Sequence, residues 1–541
     1  MNLQSNEHDF TSQNISTDTP SMSPRRYVLL SLAFMVMIIM LTGSMAIYVL
    51  ADPDLKPILQ MTRVAVEVDR LYQRDVNWNE LFDSAMNGML NRLDRYSTYH
   101  EPVQFDRISE EMSGSYVGIG VTVIRDDRGL LIMSVRENGP AGEVGLMSGD
   151  VVIMVDSVDL TGMTVQESTG LLRGRAGSEV EVEVFRPSTE DTVTVKVTRR
   201  QIDFLHIPFA GYTPENMIYI RLLDFDAGAS RDLERALDSL LHVSDRQAQG
   251  VILDLRGNPG GLFSESYEAA NLFLKSGEFI VGTKGRSRWE AEKHYSTGLD
   301  ITNGLPMAVL VDRGSASSAE IFSGSLQQLG RAILVGDTTF GKGLVQGFNR
   351  YLDGSALRLT VSRYYLEGDK YLNAFDSTLH DTGTGLAPDY PFHFMENDAF
   401  PLSLEYTLLL NRFANRYGDE IIDASGHFAL HVDWVKRFEE FVREDGFVYT
   451  SPLHEQAERL LYVAESAPSL PRTREVARTL VDSTAQYDRD VFSQYATYIT
   501  MRLKELAYER RFGVSQAYEH AIVTDRPDIL YATQLLKGRM Q

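Results

Sequence analysis

Acyl transfer needs a nucleophile, a base and a site that stabilises a developing oxyanion, and three short segments of this chain carry side chains of those types. The first, Asp254-Leu255-Arg256-Gly257-Asn258-Pro259-Gly260-Gly261, ends the apolar run Val251–Leu255. Its small residues let the backbone approach a ligand closely, and free N–H groups can form an anion-binding nest. A plain strand-to-helix turn needs one or two such residues, not a whole run. The second, Asp312-Arg313-Gly314-Ser315-Ala316-Ser317-Ser318-Ala319-Glu320, follows the strand-like Met307–Val311 and leads into an amphipathic helix with Glu320 in its first turn. A serine at such a junction can expose its hydroxyl, and the next N–H lies at a helix N-terminus where negative charge is stabilised. A run of N-capping serines would look the same. The third is Gly341-Lys342-Gly343. Flanking glycines let Lys342 reach into a site, and a buried amine can lose its proton and act as a base. Lysines in turns are usually solvated, so it is the combination of segments that points to acyl transfer.

Composition narrows the field. The 541 residues include no cysteine, which removes disulfide scaffolds, thiolate zinc sites, iron–sulfur clusters and cysteine nucleophiles together. With 52 Lys+Arg against 75 Asp+Glu the formal charge is −23, which repels phosphate backbones and argues against nucleic acid as a partner. Gly336-Asp337-Thr338-Thr339-Phe340-Gly341-Lys342-Gly343 nearly spells a phosphate-binding P-loop. Gly343, however, stands where a Mg²⁺-binding Ser or Thr is needed, and Leu344-Val345-Gln346-Gly347 reads as strand or turn, not helix. His454-Glu455-Gln456-Ala457-Glu458 lacks the second histidine of a zinc helix, and the other histidines show no ligand spacing. No metal or cofactor is expected.

Around these segments the chain reads as six regions. Residues 1–24 are polar and aperiodic, a disordered tail. Arg25 and Arg26 precede the uncharged run Tyr27–Ala51, which ends at Asp52 and Asp54. A run of about 25 residues can cross ~30 Å of hydrocarbon. Its flanking charges predict a transmembrane anchor over 25–51, a cytoplasmic N-terminus and an external remainder. A cleaved signal peptide, with Ser44-Met45-Ala46 as a poor cleavage site, is the competing reading. Residues 52–110 show helical spacing and no chemistry, as in a packing or oligomerisation helix pair. From 111 to 200, alternating runs such as Val180, Val182, Val184 and Val193, Val195, Val197 mark a compact β-rich module. Residues 201–395 alternate strand-like and helix-like stretches, the rhythm of an α/β domain. Residues 396–541 carry amphipathic helical patterns and no catalytic spacing.

With these motifs in hand, the sequence resembles the C-terminal processing peptidases, or tail-specific proteases: serine endopeptidases with an embedded PDZ domain. The resemblance covers roughly residues 55–395. It rests on Tyr116-Val117-Gly118-Ile119-Gly120-Val121 and the Pro140–Asp150 stretch for the PDZ module, and on Asn258-Pro259-Gly260-Gly261 for the oxyanion side. Gly314-Ser315-Ala316-Ser317 and Thr339-Phe340-Gly341-Lys342-Gly343-Leu344-Val345-Gln346 match the nucleophile and base motifs; Leu357-Arg358-Leu359-Thr360 and Gly385-Leu386-Ala387-Pro388-Asp389 match as well. The implied fold is α/β multidomain: a PDZ domain before a crotonase-like peptidase domain, flanked by an N-terminal helical segment and a C-terminal helical extension. The implied nucleophile is Ser317, the general base Lys342 and its support Gln346, with oxyanion donors at Ser318 and at Gly260 or Gly261. Gly118, Ile119, Gly120 and Val121 are the implied peptide-binding residues. The chain departs from the family at Ser318-Ala319, where Ala-Ser is usual, at Gly257 for Asn and at Arg95 for Pro. The neighbouring hydroxyl of Ser318 is therefore a rival nucleophile.

The implied activity is hydrolysis of proteins with exposed, apolar C-terminal tails by a membrane-anchored periplasmic enzyme, with homo-oligomers possible through the helical segments. A membrane-anchored PDZ adaptor with an inactive peptidase-like domain is the alternative. Hydrolysis by a Ser-His-Asp set using a histidine within 200–395 is a distinct rival. Were 342–346 one straight strand, the two side chains would start ~13 Å apart, so the dyad requires a bend at the glycines.

Overall fold

A computed structural model describes residues 56–540 except 137–138, 188, 244–245, 287–290, 369, 372–384 and 467–470, together with 32, 34–37 and 40. The expected membrane run over 25–51 therefore lies almost wholly outside the described residues. Among those described, no helix is long and apolar enough to cross a membrane. The chain divides into two units, Met1–Ala85 and Met86–Gln541. In the first, helix Lys56–Leu71 buries no side chain and leaves Ile58, Met61 and Val64 exposed.

In the second unit, the expected β-rich module is an antiparallel sheet in the order 121–126, 129–135, 151–155, 179–186, 191–198. The alternating valines Val180, Val182, Val184 and Val197 are fully buried, as a period-two pattern facing one core requires. Helix Val165–Leu172 closes that core, starting at Thr164 in a capping box with Glu167. Asp150, almost fully buried, takes two 2.8 Å hydrogen bonds from Arg186 and one from the N–H of Met147. Strand Ser115–Gly118 pairs antiparallel with Arg200–Asp203, so the module's two ends leave it together.

The α/β region is built on a sheet in the order 209–212, 217–221, 250–254, 307–311, 333–336, 390–391, parallel after the first pair. Gly250–Asp254 and Met307–Val311 are buried at every position, which explains their unbroken apolar sequence. Helices Ala229–Leu241, Phe263–Asn271 and Ser318–Gln328 cover one face. The other face is covered from the far end of the chain: Val523, Ile529, Ala532 and Leu536 pack on Tyr219, Ile252, Ala308 and Leu310. The division expected at 395 thus separates this sheet from part of its own core. A second sheet joins Thr98–His100, Ala356–Leu366, Phe279–Gly285 and Lys293–Tyr295, with Leu344–Arg350 on the other side of 356–366. Residues 399–512 form a helical cluster around Phe400, Phe413, Phe438 and Leu503.

Candidate active site

The three glycine-rich segments converge at the ends of buried strands, tied by backbone and short side chains. Asp312 Oδ1 accepts from the N–H groups of Gly257, Gly314 and Ser315 at 2.8, 2.9 and 3.1 Å. Ser315 Oγ donates to Leu255 O at 2.7 Å, and the Ala316 N–H to Asn258 O at 2.9 Å. Those bonds join the first two segments. The Phe340 N–H donates to Ser315 O at 3.0 Å and brings in the third.

Ser317 caps helix Ser318–Gln328 with φ +55°, a left-handed conformation that costs a non-glycine residue about 1 kcal/mol or more. Two groups hold it there. Glu320, wholly buried, accepts from the Ser317 N–H at 2.9 Å and the Lys342 N–H at 2.8 Å on one oxygen. Its other oxygen accepts from Thr339 Oγ1 at 2.5 Å and the Gly341 N–H at 2.7 Å. The buried Tyr364 hydroxyl donates to the carbonyls of Ser317, at 3.2 Å, and Lys342. One carboxylate and one phenol therefore clamp the backbones of the expected nucleophile and base together. Burial pushes the Glu320 carboxyl up from its ordinary range against the pull of these donors, and burial raises Tyr364 well above 10.

Lys342 lies outside the strand, which begins only at Leu344; Gly341 has φ +90° and the ladder slips between Val345 and Gln346. The required bend is present. The Lys342 ammonium stands 5.2 Å from the ring centre of Tyr96 and makes no ion pair or hydrogen bond among the described residues. Desolvation, then repulsion from Arg358, lowers its pKa to about 8 against an opposing pull from Glu320. Ser317 Oγ faces the Glu320 N–H in a capping box, and no hydrogen bond joins it to Lys342 Nζ among the described residues. Gln346 Nε2 lies 3.5 Å from Leu344 O, and no hydrogen bond brings it to Lys342.

On the oxyanion side, Gly260 has φ +95°, and a Cβ there would stand 2.8 Å from Ser318 N and 2.9 Å from Ser317 Cβ. Only glycine fits against that peptide. The Gly260 N–H is taken by Asn258 Oδ1 at 2.9 Å. The N–H groups of Gly261 and Ser318 donate to nothing among the described residues, which leaves them as the available pair. The Ser318 hydroxyl, almost fully buried, donates to Gly261 O at 3.1 Å and Leu262 O at 3.2 Å. It braces the glycine loop and is poorly placed to attack. Ser318→Ala is expected to keep kcat/KM within about ten-fold of wild type and to cost about 1 kcal/mol, read from turnover and the thermal midpoint.

Three contributors escaped the sequence reading: the bonds of Glu320 from Thr339, Gly341 and Lys342, the Tyr364 hydroxyl, and Tyr96 from the segment expected to carry no chemistry. As for the histidine rival, His206 Nδ1 sits 2.6 Å from Asp224 Oδ1, and no histidine hydrogen-bonds to Ser317 among the described residues. In the β-rich module, the N–H groups of Ile119 and Gly120 are without acceptors among the described residues, and Gly120 has φ +79°. Gly118 is paired in the strand with Arg200, and Val121 opens strand 121–126, which ends the sheet order.

Residues 216–391 match peptidase family S41, and residues 117–197 match the PDZ domain. The chain is 31% identical over 312 residues to the carboxy-terminal-processing protease of Bartonella bacilliformis, covering 57% of this chain and 69% of that protein. It is 33% identical over 309 residues to the carboxy-terminal processing protease CtpA of Bacillus subtilis, covering 56% of this chain and 64% of the relative. Among solved structures it is similar to a photosystem II D1 C-terminal processing protease, with 25% identity, a TM-score of 0.36, and coverage of 60% of this chain and 84% of the other.

Proposed function

The chain belongs to peptidase family S41, the carboxy-terminal processing serine proteases with a PDZ domain, and from that premise we propose that Ser317 and Lys342 are its catalytic dyad. Neutral Lys342 takes the Ser317 Oγ proton as the oxygen attacks the scissile carbonyl. The N–H groups of Ser318 and Gly261 receive the oxyanion at the N-terminus of helix Ser318–Gln328. The protonated lysine then gives its proton to the leaving amine, and water, deprotonated in turn by the lysine, releases the acyl group. The observation that carries this reading is the double clamp of Glu320 and Tyr364, which fixes both catalytic backbones beside a desolvated amine. The missing Oγ–Nζ bond fits a resting site whose catalytic hydrogen bonds tighten on substrate engagement.

Substrate capture falls to the PDZ domain. Strand Val121–Asp126 is a sheet edge able to add a chain end as a further strand, with the terminal carboxylate on the N–H groups of Ile119 and Gly120. Val121 and Val123, half-buried beside helix Val165–Leu172, offer an apolar pocket to the last side chain. The uncharged run over 25–51, with arginines before it and aspartates after it, would anchor the enzyme in the cytoplasmic membrane with the catalytic part outside and raise its local concentration near tethered tails.

The test is cleavage of an unfolded protein ending in an apolar tail by the purified full-length protein, with the new chain ends mapped. Capping the tail with an amide should weaken binding; cleavage indifferent to the tail would refute the PDZ role. The pH profile tests the base. With Lys342 near 8, about a tenth of the amine is neutral at pH 7, against roughly three in ten thousand at its ordinary value. Activity as kcat/KM should rise with pH to an inflection near 8 and then level off. Arg358→Gln removes a repelling charge, so the inflection should move to higher pH.

A further inference from the structure

The Gly257–Gly261 loop is braced from behind by a charge cluster that includes Arg526 and Asp528 from the far end of the chain. Asp254, fully buried, accepts from Tyr219 Oη at 2.7 Å, Arg221 Nη1 at 2.7 Å and Arg256 Nε at 2.9 Å. Burial pushes its carboxyl up, but the charges of Arg221 and Arg256 and the hydrogen bonds from Arg256 and Tyr219 outweigh that and hold it far below the ordinary range. Arg256 immediately precedes the loop. Its guanidinium spans from Asp254 to Glu396 Oε1 at 2.8 Å and Asp528 Oδ2 at 2.6 Å, with Phe394 beneath it at 4.9 Å. Arg526 pairs with both of those carboxylates.

Asp528 sits in the first turn of the terminal helix Pro527–Met540, whose Ile529, Ala532 and Leu536 are fully buried against the peptidase sheet. An arginine held on three carboxylates from three parts of the chain has little freedom. The backbone leaving it is correspondingly fixed where Gly257 and Gly261 begin and end their turn. Asp528 Oδ2 makes no hydrogen bond among the described residues and meets Arg256 as an ion pair, so removing its charge from beside so buried a cation leaves charge unbalanced next to the loop.

We infer that Asp528 is a positioning residue for peptide hydrolysis: through Arg256 the terminal helix sets the Gly257–Gly261 loop, and the extension is a working part of the peptidase site. The inference rests on the assignment of the Gly261 N–H to the oxyanion made above. Its effect must appear in the chemical step, because the cluster braces the loop of an oxyanion donor, and its hydrogen bonds and ion pairs join it to no PDZ residue among the described residues.

The test compares full-length wild type, Asp528→Asn and Asp528→Glu. The asparagine variant should lose at least about ten-fold in kcat, a fraction of what deleting an oxyanion donor costs, with KM within about two-fold. Phosphonylation of Ser317 by a fluorophosphonate should slow in parallel, and Asp528→Glu should recover most of both. A folded Asp528→Asn protein with wild-type kcat, or with its loss confined to KM, overturns the inference. If Asp528→Asn does not fold, Glu396→Gln reads the same quantity from the more exposed partner, and wild-type kcat there overturns the inference too. Ser317→Ala in the same assay keeps the two proposals apart: residual turnover there counts against the dyad, not against the brace.

Discussion

Ser317→Ala is expected to abolish peptide hydrolysis, with kcat falling by about 10⁴-fold or more, and Lys342→Ala to fall nearly as far, because members of such a unit are lost together. Neither loss should come from unfolding. Ser317 Oγ meets only the Glu320 N–H among the described residues, and that N–H also donates to Ser317 O at 2.8 Å, so removing the hydroxyl orphans nothing. Lys342 is better than neutral in this respect. Its pKa falls to about 8 in the folded chain from an ordinary 10.5, so between those values the unfolded chain holds more protons and stability rises with pH. Below pH 8 the folded chain carries the full cost of a desolvated ammonium. Lys342→Ala should therefore raise the thermal midpoint at pH 7 while destroying activity, the trade-off expected of a site that keeps a base unpaired. Both variants should still bind an apolar-tailed peptide, since the PDZ groove is intact. Full cleavage by either variant would sink the dyad. Retained peptide binding with no cleavage by wild type itself would favour the adaptor alternative.

How much of this site could be read from the chain depends on what kind of signal each part leaves. The strands Gly250–Asp254 and Met307–Val311 are buried on both faces, so their unbroken apolar runs announced a parallel sheet and located the two loops at its edge. Gly260 was legible because a Cβ there would strike the Ser317–Ser318 peptide. Lys342 was legible because glycines flank it. Tyr364 was not: it sits in a strand whose sequence would be the same whether its hydroxyl met water or the Ser317 and Lys342 carbonyls. Tyr96 was missed for a similar reason, since a half-buried aromatic after a helix is ordinary packing until the facing ammonium is seen.

The tail illustrates a different limit. A largely helical reading of the tail gives helices but not the surface that each apolar face meets. The sheet the tail covers lies some hundreds of residues earlier, at Tyr219, Ile252 and Leu310. Likewise, an aspartate in the first turn of a helix suits the macrodipole wherever it occurs. Nothing in the sequence around Asp528 distinguishes that common use from an ion pair with Arg256.

Glu320 combines both limits, and its replacement carries the second largest expected effect. Its place three residues after Ser317 looks like an ordinary capping box, and one of its bonds, from the Ser317 N–H, is of that kind. The other three reach Thr339, Gly341 and Lys342, so the carboxylate links a helix cap to the loop bearing the base. Three N–H groups converge on its two oxygens. In Glu320→Gln one oxygen becomes an NH₂ facing at least one of those donors. An unsatisfied buried donor costs about 1–3 kcal/mol, and relief by shifting residues 339–342 would pull Lys342 from Ser317. The expected loss in kcat is about 100-fold, the order of a misplacement near 1 Å, with little change in KM. Mere loosening of the fold would not move the pH profile, but this substitution should. The Glu320 charge raises the Lys342 pKa, so its removal should shift the activity limb to lower pH while its plateau drops. A folded Glu320→Gln enzyme with an unmoved limb and undiminished kcat would mean that the dyad does not depend on the shared carboxylate.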